Sequence, residues 1–263
     1  MTPSTASNRY ATSAGLDYRV TGAPGGGPRP TVINLASTAD QALGQDFLQA
    51  GRFLLPAGYR YVGVELPCHG NSRREGEPEE LAGWARRVAT GEDFVGPFLD
   101  QLTEIVDRLI DDGSSDPRRM AITGTSRGGY LALQAVARDH RLRAVAAYAP
   151  VVDLGRLREF DAVDAELIEQ WNVLRRVEDL VGRPVFLVIG DRDHRVGTDA
   201  TISLGSALAA AAEAADRPSQ LAMHVLSEPG GHTTPADGAR LSAHWLHRVF
   251  DQPGGPLTVA GET

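Results

Sequence analysis

The sequence predicts an α/β protein: a mostly parallel central sheet of about eight strands, helices on both faces, and a short cap insertion. Three observations carry this. Near-continuous apolar runs recur along the chain, among them TVINLA at 31–36, YRYVGVEL at 59–66, LRAVAAYAPVV at 142–152 and PVFLVIG at 184–190. Such runs, without a polar alternate face, belong to strands covered on both sides. Segments of helical period separate them, so the connections are crossovers, and right-handed crossovers bring every strand's C-terminal end to one edge of the sheet.

The elements follow in order. Residues up to about 13 read as a loose lead, and the Pro/Gly-rich stretch 22–30 as a turn or short linker. After the strand at 31–36, residues 41–57 read as a helix ending near Gly58, followed by the strand at 59–66. Residues 67–78 form a turn-rich loop. Apolar side chains at 95, 98, 99, 102, 105, 106 and 109 mark a helix over 94–111. A strand at 119–123 runs straight into a helix starting near Arg127, and the strand at 142–152 follows. Residues 153–180 are an insertion, charged but with a helical period that includes Phe160 and Trp171. Beyond the strand at 184–190 come an Ala-rich helix at 201–215, a strand at 220–226, a helix at 237–250 and a loose tail at 252–263. No repeat or internal linker divides the chain, so residues 1–263 read as a single domain.

Bulk properties narrow the function classes. At 263 residues, 42% hydrophobic and 23% charged, the chain can bury a sizeable core. The net charge of −8 is spread without a basic patch, which argues against nucleic acid or an anionic membrane as partner. Cys68 is the only cysteine, which excludes an intrachain disulfide and any CxxC metal or redox motif. The first residues lack the basic and apolar regions of a signal peptide, and no apolar run reaches the roughly 18 residues of a membrane span. The expectation is a cytoplasmic protein with no metal or cofactor, either monomer or homodimer.

The chemistry centres on Gly124-x-Ser126-x-Gly128. A strand that becomes a helix within two residues forces its apex residue into a strained conformation, and flanking glycines remove the side chains that would clash. Ser126 is then exposed at a helix N-terminus, where free N–H groups favour developing negative charge. A serine hydroxyl needs a base to take its proton and a carboxylate to orient that base. Asp193 lies just past the strand at 184–190, with Asp191 as the alternative acid; His232 follows the strand at 220–226 in a Gly-Gly loop. Of the other histidines, His140, His244 and His247 fall on helices, His224 in a strand, His194 beside the acid, and His69 in a loop. The order Ser, Asp, His on successive strand ends is that of α/β-hydrolases.

These motifs resemble those of the α/β-hydrolase superfamily, and most closely single-domain serine esterases related to the prolyl oligopeptidase and dienelactone hydrolase groups. The resemblance runs from about residue 15 to 250. Glu65-Leu-Pro-Cys-His-Gly-Asn-Ser72 resembles the D-x-P-G-H-G-x-S loop of such enzymes, Gly190-Asp-Arg-Asp193-His-Arg-Val-Gly197 their acid loop, and Gly230-Gly-His232 their histidine loop. The resemblance implies the α/β-hydrolase fold and an oxyanion hole made by the backbone N–H of Arg127 and of a residue after the third strand. The His-Gly usual there is replaced by Asn34-Leu-Ala36-Ser37, so Ala36 or Ser37 supplies the second donor. The Arg127 side chain either points away from the pocket or lines it and meets an anionic substrate group. Phe160 and Trp171 of the cap either line an acyl site or pack as core.

The expected function is a serine hydrolase (carboxylesterase-like) cleaving an ester or related acyl bond of a small molecule. Two alternatives stay open: thioester, amide or C–C cleavage or acyl transfer on the same scaffold, and a non-catalytic ligand-binding protein.

Overall fold

The computed structural model describes residues 7–22 and 27–251, so the tail at 252–263 and part of the Pro/Gly-rich stretch lie outside them. Strands β1 (Asn8–Ala11), β2 (Asp17–Thr21), β3 (Arg29–Leu35), β4 (Arg60–Val64), β5 (Ser115–Thr125), β6 (Val145–Tyr148), β7 (Val185–Gly190) and β8 (Leu221–Leu226) form one sheet in the order β1-β2-β4-β3-β5-β6-β7-β8. β2 runs antiparallel to β1 and β4; every other pairing is parallel. This is the mostly parallel α/β architecture expected from the apolar runs.

The described helices are α1 (Ala39–Leu43), α2 (Gly51–Leu54), α3 (Glu80–Ala89), α4 (Val95–Asp111), α5 (Arg127–Arg138), α6 (Ala165–Glu169), α7 (Val177–Leu180), α8 (Thr198–Ala214) and α9 (Gly238–Asp251). Alternate residues along each strand feed two apolar layers, one per face. Ile33, Ile122, Leu187 and Ile189 pack with Phe98 and Leu102 of α4, Leu131 of α5 and Leu204 of α8. Val32, Ala121, Phe186 and Val188 pack with Leu54 of α2 and Trp245 and Leu246 of α9. Burial on both faces is why these strands lack a polar alternate.

Two expectations need correction. The lead is not loose throughout, because residues 8–11 form the edge strand β1. Tyr10 stacks on Tyr18 of β2 at 5.3 Å, and Arg9 pairs with Asp17 at 2.5 Å. The helix expected over 41–57 is two short helices instead. α1 opens on a Thr38–Gln41 capping box and stops at Gly44, and the chain re-enters a helix at Gly51. Buried Asn34 accounts for the break: its Nδ2 donates to the carbonyls of Ala42 (2.5 Å) and Phe47 (2.8 Å), which a continuous helix would use internally.

The 153–180 segment is a string of short 3-10 turns with α6 and α7, and it packs down onto the core through Leu154, Leu157 and Phe160. Among the described residues no helix is long and apolar enough to cross a membrane.

Candidate active site

The C-terminal ends of the strands are level. Leu35 of β3 lies opposite Gly124 of β5, Thr125 opposite Tyr148, and Gly190 of β7 opposite Leu226 of β8. The loops leaving these ends share one edge, where open α/β sheets place their sites.

At the end of β5 the chain turns at Ser126, with φ 55° and ψ −116°. The turn is pinned from both sides. Ser126 N–H donates to Tyr148 O at 2.8 Å, and Ser126 O accepts from Tyr130 N–H (3.1 Å) and Val151 N–H (3.2 Å). A Cβ on Gly124 would sit 2.2 Å from Gly128 O, and one on Gly128 would sit 2.0 Å from Leu35 O. Both contacts are with backbone, so only glycine fits and α5 can approach β3 closely.

His232 reaches the serine from the loop after β8, where Gly231 takes a left-handed φ of 74°. Its Nδ1–H donates to Asp193 Oδ2 at 2.8 Å, and its Nε2 lies 2.9 Å from Ser126 Oγ, placed to accept the hydroxyl hydrogen. The structure therefore joins Ser126, His232 and Asp193 in one hydrogen-bonded chain. The Asp193 carboxylate is fully buried while the imidazole is 30% exposed. Asp193 Oδ1 accepts the N–H groups of Arg195 (3.0 Å) and Val196 (3.1 Å). Burial pushes the Asp193 carboxyl up, but the His232 bond and these backbone donors outweigh it and hold the group below its ordinary value.

Asp191 is elsewhere. Its Oδ1 accepts Glu228 N–H at 2.8 Å, bracing the loop after β7 against the loop after β8. Of the two aspartates considered, Asp193 is the one that touches His232. Among the remaining histidines, His224 packs beside Phe186 on β8, and His247 of α9 bonds to the Tyr59 hydroxyl at 2.8 Å. His140 lies just past the end of α5, not on it, and pairs with Arg183.

The Leu35–Ala36 peptide lies against the first turn of α5: a Cβ on Gly128 would meet Ala36 N at 2.9 Å. That closeness puts the Ala36 N–H beside the N-terminus of α5, where Arg127 carries the first helical N–H. Ser37 serves the neighbouring strand, its carbonyl accepting Leu66 N–H at 2.9 Å.

The Arg127 side chain folds toward α3, and its Nη1 donates to Glu80 Oε2 at 2.5 Å. Sequence reasoning missed Glu80 and the helix it starts. Glu80 has a left-handed φ of 56°, and its N–H donates to Cys68 O at 2.8 Å. His69, in the same loop as Cys68, is buried and donates Nδ1–H to Pro67 O at 2.8 Å, leaving Nε2 without a partner among the described residues. Burial, with the nearby Arg127 charge, pushes His69 down to about 4, so its ring is neutral. Trp84, Phe94, Tyr130 and Trp171 pack around this corner, with Trp84–Phe94 at 4.7 Å and Phe94–Trp171 at 5.4 Å. Phe160 is core, and Trp171 is tied to α5 through its carbonyl, which accepts the Tyr130 hydroxyl at 2.9 Å.

Among the described residues no group of three or more His, Cys, Asp or Glu is arranged to hold a metal. No curated protein sequence matches the chain. A puromycin-hydrolyzing peptidase of Mycobacterium tuberculosis superposes with a TM-score of 0.68 at 19% identity, over 95% of this chain and 40% of that one. This chain thus spans well under half of that peptidase. TT1662 of Thermus thermophilus superposes with a TM-score of 0.68 at 21% identity, over 94% of this chain and 99% of that one. A 2,6-dihydroxy-pseudo-oxynicotine hydrolase gives a TM-score of 0.64 at 17% identity, over 95% and 69%. At these identities the likeness is one of fold. The model of the prolyl oligopeptidase family matches residues 95–251, a span that holds Ser126, Asp193 and His232. The chain belongs to the prolyl oligopeptidase family, and its fold is that of the α/β-hydrolases.

Proposed function

We propose that this protein cleaves a carboxylic ester, or a related acyl bond, of a small molecule through an acyl-enzyme on Ser126. One observation carries the proposal: the Asp193–His232–Ser126 chain, with both bonds at hydrogen-bonding distance, 2.8 and 2.9 Å. His232 Nε2 takes the hydroxyl proton as Ser126 Oγ attacks the carbonyl carbon. The N–H groups of Arg127 and Ala36 hold the oxyanion. Collapse breaks the bond to the leaving group, which receives the proton from His232. Water then attacks the acyl-enzyme with His232 as base, and the proton returns to Ser126 Oγ as the acid leaves. Asp193 keeps the imidazole in the tautomer that presents a lone pair to the serine and stabilises the imidazolium. We assign the whole cycle to one α/β domain in the cytoplasm, with no metal or organic cofactor and a small-molecule substrate.

The family match favours a second reading, in which the same residues cleave an amide or short peptide bond. A small cap packed down on the core supports a compact substrate in either case. A fluorophosphonate probe labels only an activated serine, so the wild type should label and Ser126→Ala should not. A panel of p-nitrophenyl esters against the matching p-nitroanilides then separates ester from amide preference. An unlabelled wild-type protein with no turnover on either series would leave the ligand-binding alternative standing.

A further inference from the structure

We infer that the Arg127 guanidinium is an anion receptor beside the nucleophile, and that the substrate carries a carboxylate a few bonds from the scissile carbonyl. This rests on the ester-hydrolase reading and names its substrate class. Arg127 follows Ser126 directly, so its side chain is tethered at the reacting centre. Only one end of the guanidinium is engaged: Nη1 donates to Glu80 Oε2, while Nε and Nη2 make no hydrogen bond among the described residues. Those two nitrogens form the parallel fork that matches both oxygens of a carboxylate.

Among nearby arginines, Arg156 meets Asp199 through two nitrogens at 3.0 and 2.6 Å, whereas Arg195, in the Asp193 loop, uses Nη2 alone, at 2.7 Å from both oxygens of Glu159. Arg127 keeps its fork unused in a side chain only 21% exposed. Glu80 holds the other end from a strained position, since a non-glycine residue at φ 56° stores strain that persists where surrounding structure enforces it. The corner therefore offers unused donors on Arg127, one residue along the chain from Ser126.

The test compares p-nitrophenyl hydrogen glutarate with p-nitrophenyl pentanoate, esters of equal acyl length that differ in one carboxylate. A p-nitrophenyl ester with a cationic acyl end is the third substrate. The full chain is used as wild type, Arg127→Met and Arg127→Lys, each normalised by fluorophosphonate titration of Ser126. The wild type should prefer the glutarate ester. Arg127→Met should lower the glutarate-to-pentanoate ratio of kcat/KM about tenfold to a hundredfold, mainly through KM, and Arg127→Lys should keep part of it. Working with a ratio removes any general loss of activity. A ratio that moves less than twofold, or a wild-type preference for the cationic ester, overturns the inference while leaving the hydrolase reading intact. If Ser126 does not label and no ester turns over, the hydrolase reading fails, and glutarate binding by calorimetry decides the rest. Binding about tenfold tighter to wild type than to Arg127→Met supports the receptor; equal affinity overturns it.

Discussion

Replacing Ser126 with glycine should stabilise the protein relative to Ser126→Ala. Ser126 sits at φ 55°, ψ −116°, where a side chain is disfavoured, and three backbone bonds at 2.8, 3.1 and 3.2 Å hold it there. Such a conformation costs a non-glycine residue about 1–3 kcal/mol. Alanine keeps the Cβ and therefore the strain. Glycine removes it but adds chain freedom in the unfolded state, a loss of about 0.4–1 kcal/mol relative to alanine. Both variants lose the hydroxyl and its bond to His232, so that contribution cancels between them. Taking the middle of each range, about 2 less about 0.7, the glycine variant should be more stable by about 1.3 kcal/mol. For a chain of this size that corresponds to roughly 3–5 °C in Tm. Urea denaturation at 25 °C and calorimetry on the two variants measure the difference. A glycine variant no more stable than the alanine variant would refute the claim that the turn stores strain.

Asp193→Asn should lower kcat by about four orders of magnitude, since an amide cannot hold the imidazole in the productive tautomer. Asp191→Asn loses only part of the brace to Glu228 N–H and should cost less than about tenfold; steady-state kinetics that reverse this order would reassign the acid. Because the folded Asp193 carboxyl lies below its ordinary value near 3.9, it contributes stability above that pH and loses it as pH falls through the folded value. The stability gap between wild type and Asp193→Asn should therefore hold from neutral pH to about 5 and shrink below about 4. A gap that stays constant down to pH 2 in urea titrations would count against this. Gly128→Ala would drive a Cβ to 2.0 Å from Leu35 O, so it should either unfold the protein or displace the Ala36 N–H. If it folds, kcat should fall at least about a hundredfold with fluorophosphonate labelling slowed alongside it; unchanged labelling would exclude Ala36 as an oxyanion donor.

The central strands and the loops after them were legible because their signals are local. Val185–Gly190 is apolar at each position before its glycine because both faces are covered, and Gly124 is needed for a contact with Gly128 only four residues on, although Gly128 itself answers to Leu35 of β3. β1 and β2 were not read, being short, polar at several positions, and recognisable only by pairing with each other and with β4. The break between α1 and α2 depends on Asn34, whose bonds reach across eight and thirteen residues; Gly44 and Gly51 were the local hint. α3 follows a charged loop and starts on a strained glutamate with no side-chain cap, so its acidic first turn, Glu80 after Glu79, blends into the charges before it. The Arg127–Glu80 pair spans 47 residues, a contact that spacing cannot reveal.

Cys68 occupies the position where the resembled loop motif carries glycine, and it adopts a left-handed φ of 63° with no exposed surface. Burial pushes its thiol up to about 12, so at neutral pH the group stays a thiol and not the reactive thiolate. The chain is thus a silent background for thiol chemistry. A cysteine introduced at Leu174, on the outside of the cap at 39% exposure, would be the single site a maleimide dye can find. Its fluorescence would report in real time whether the cap shifts when a substrate enters, with no native residue removed to clear the signal.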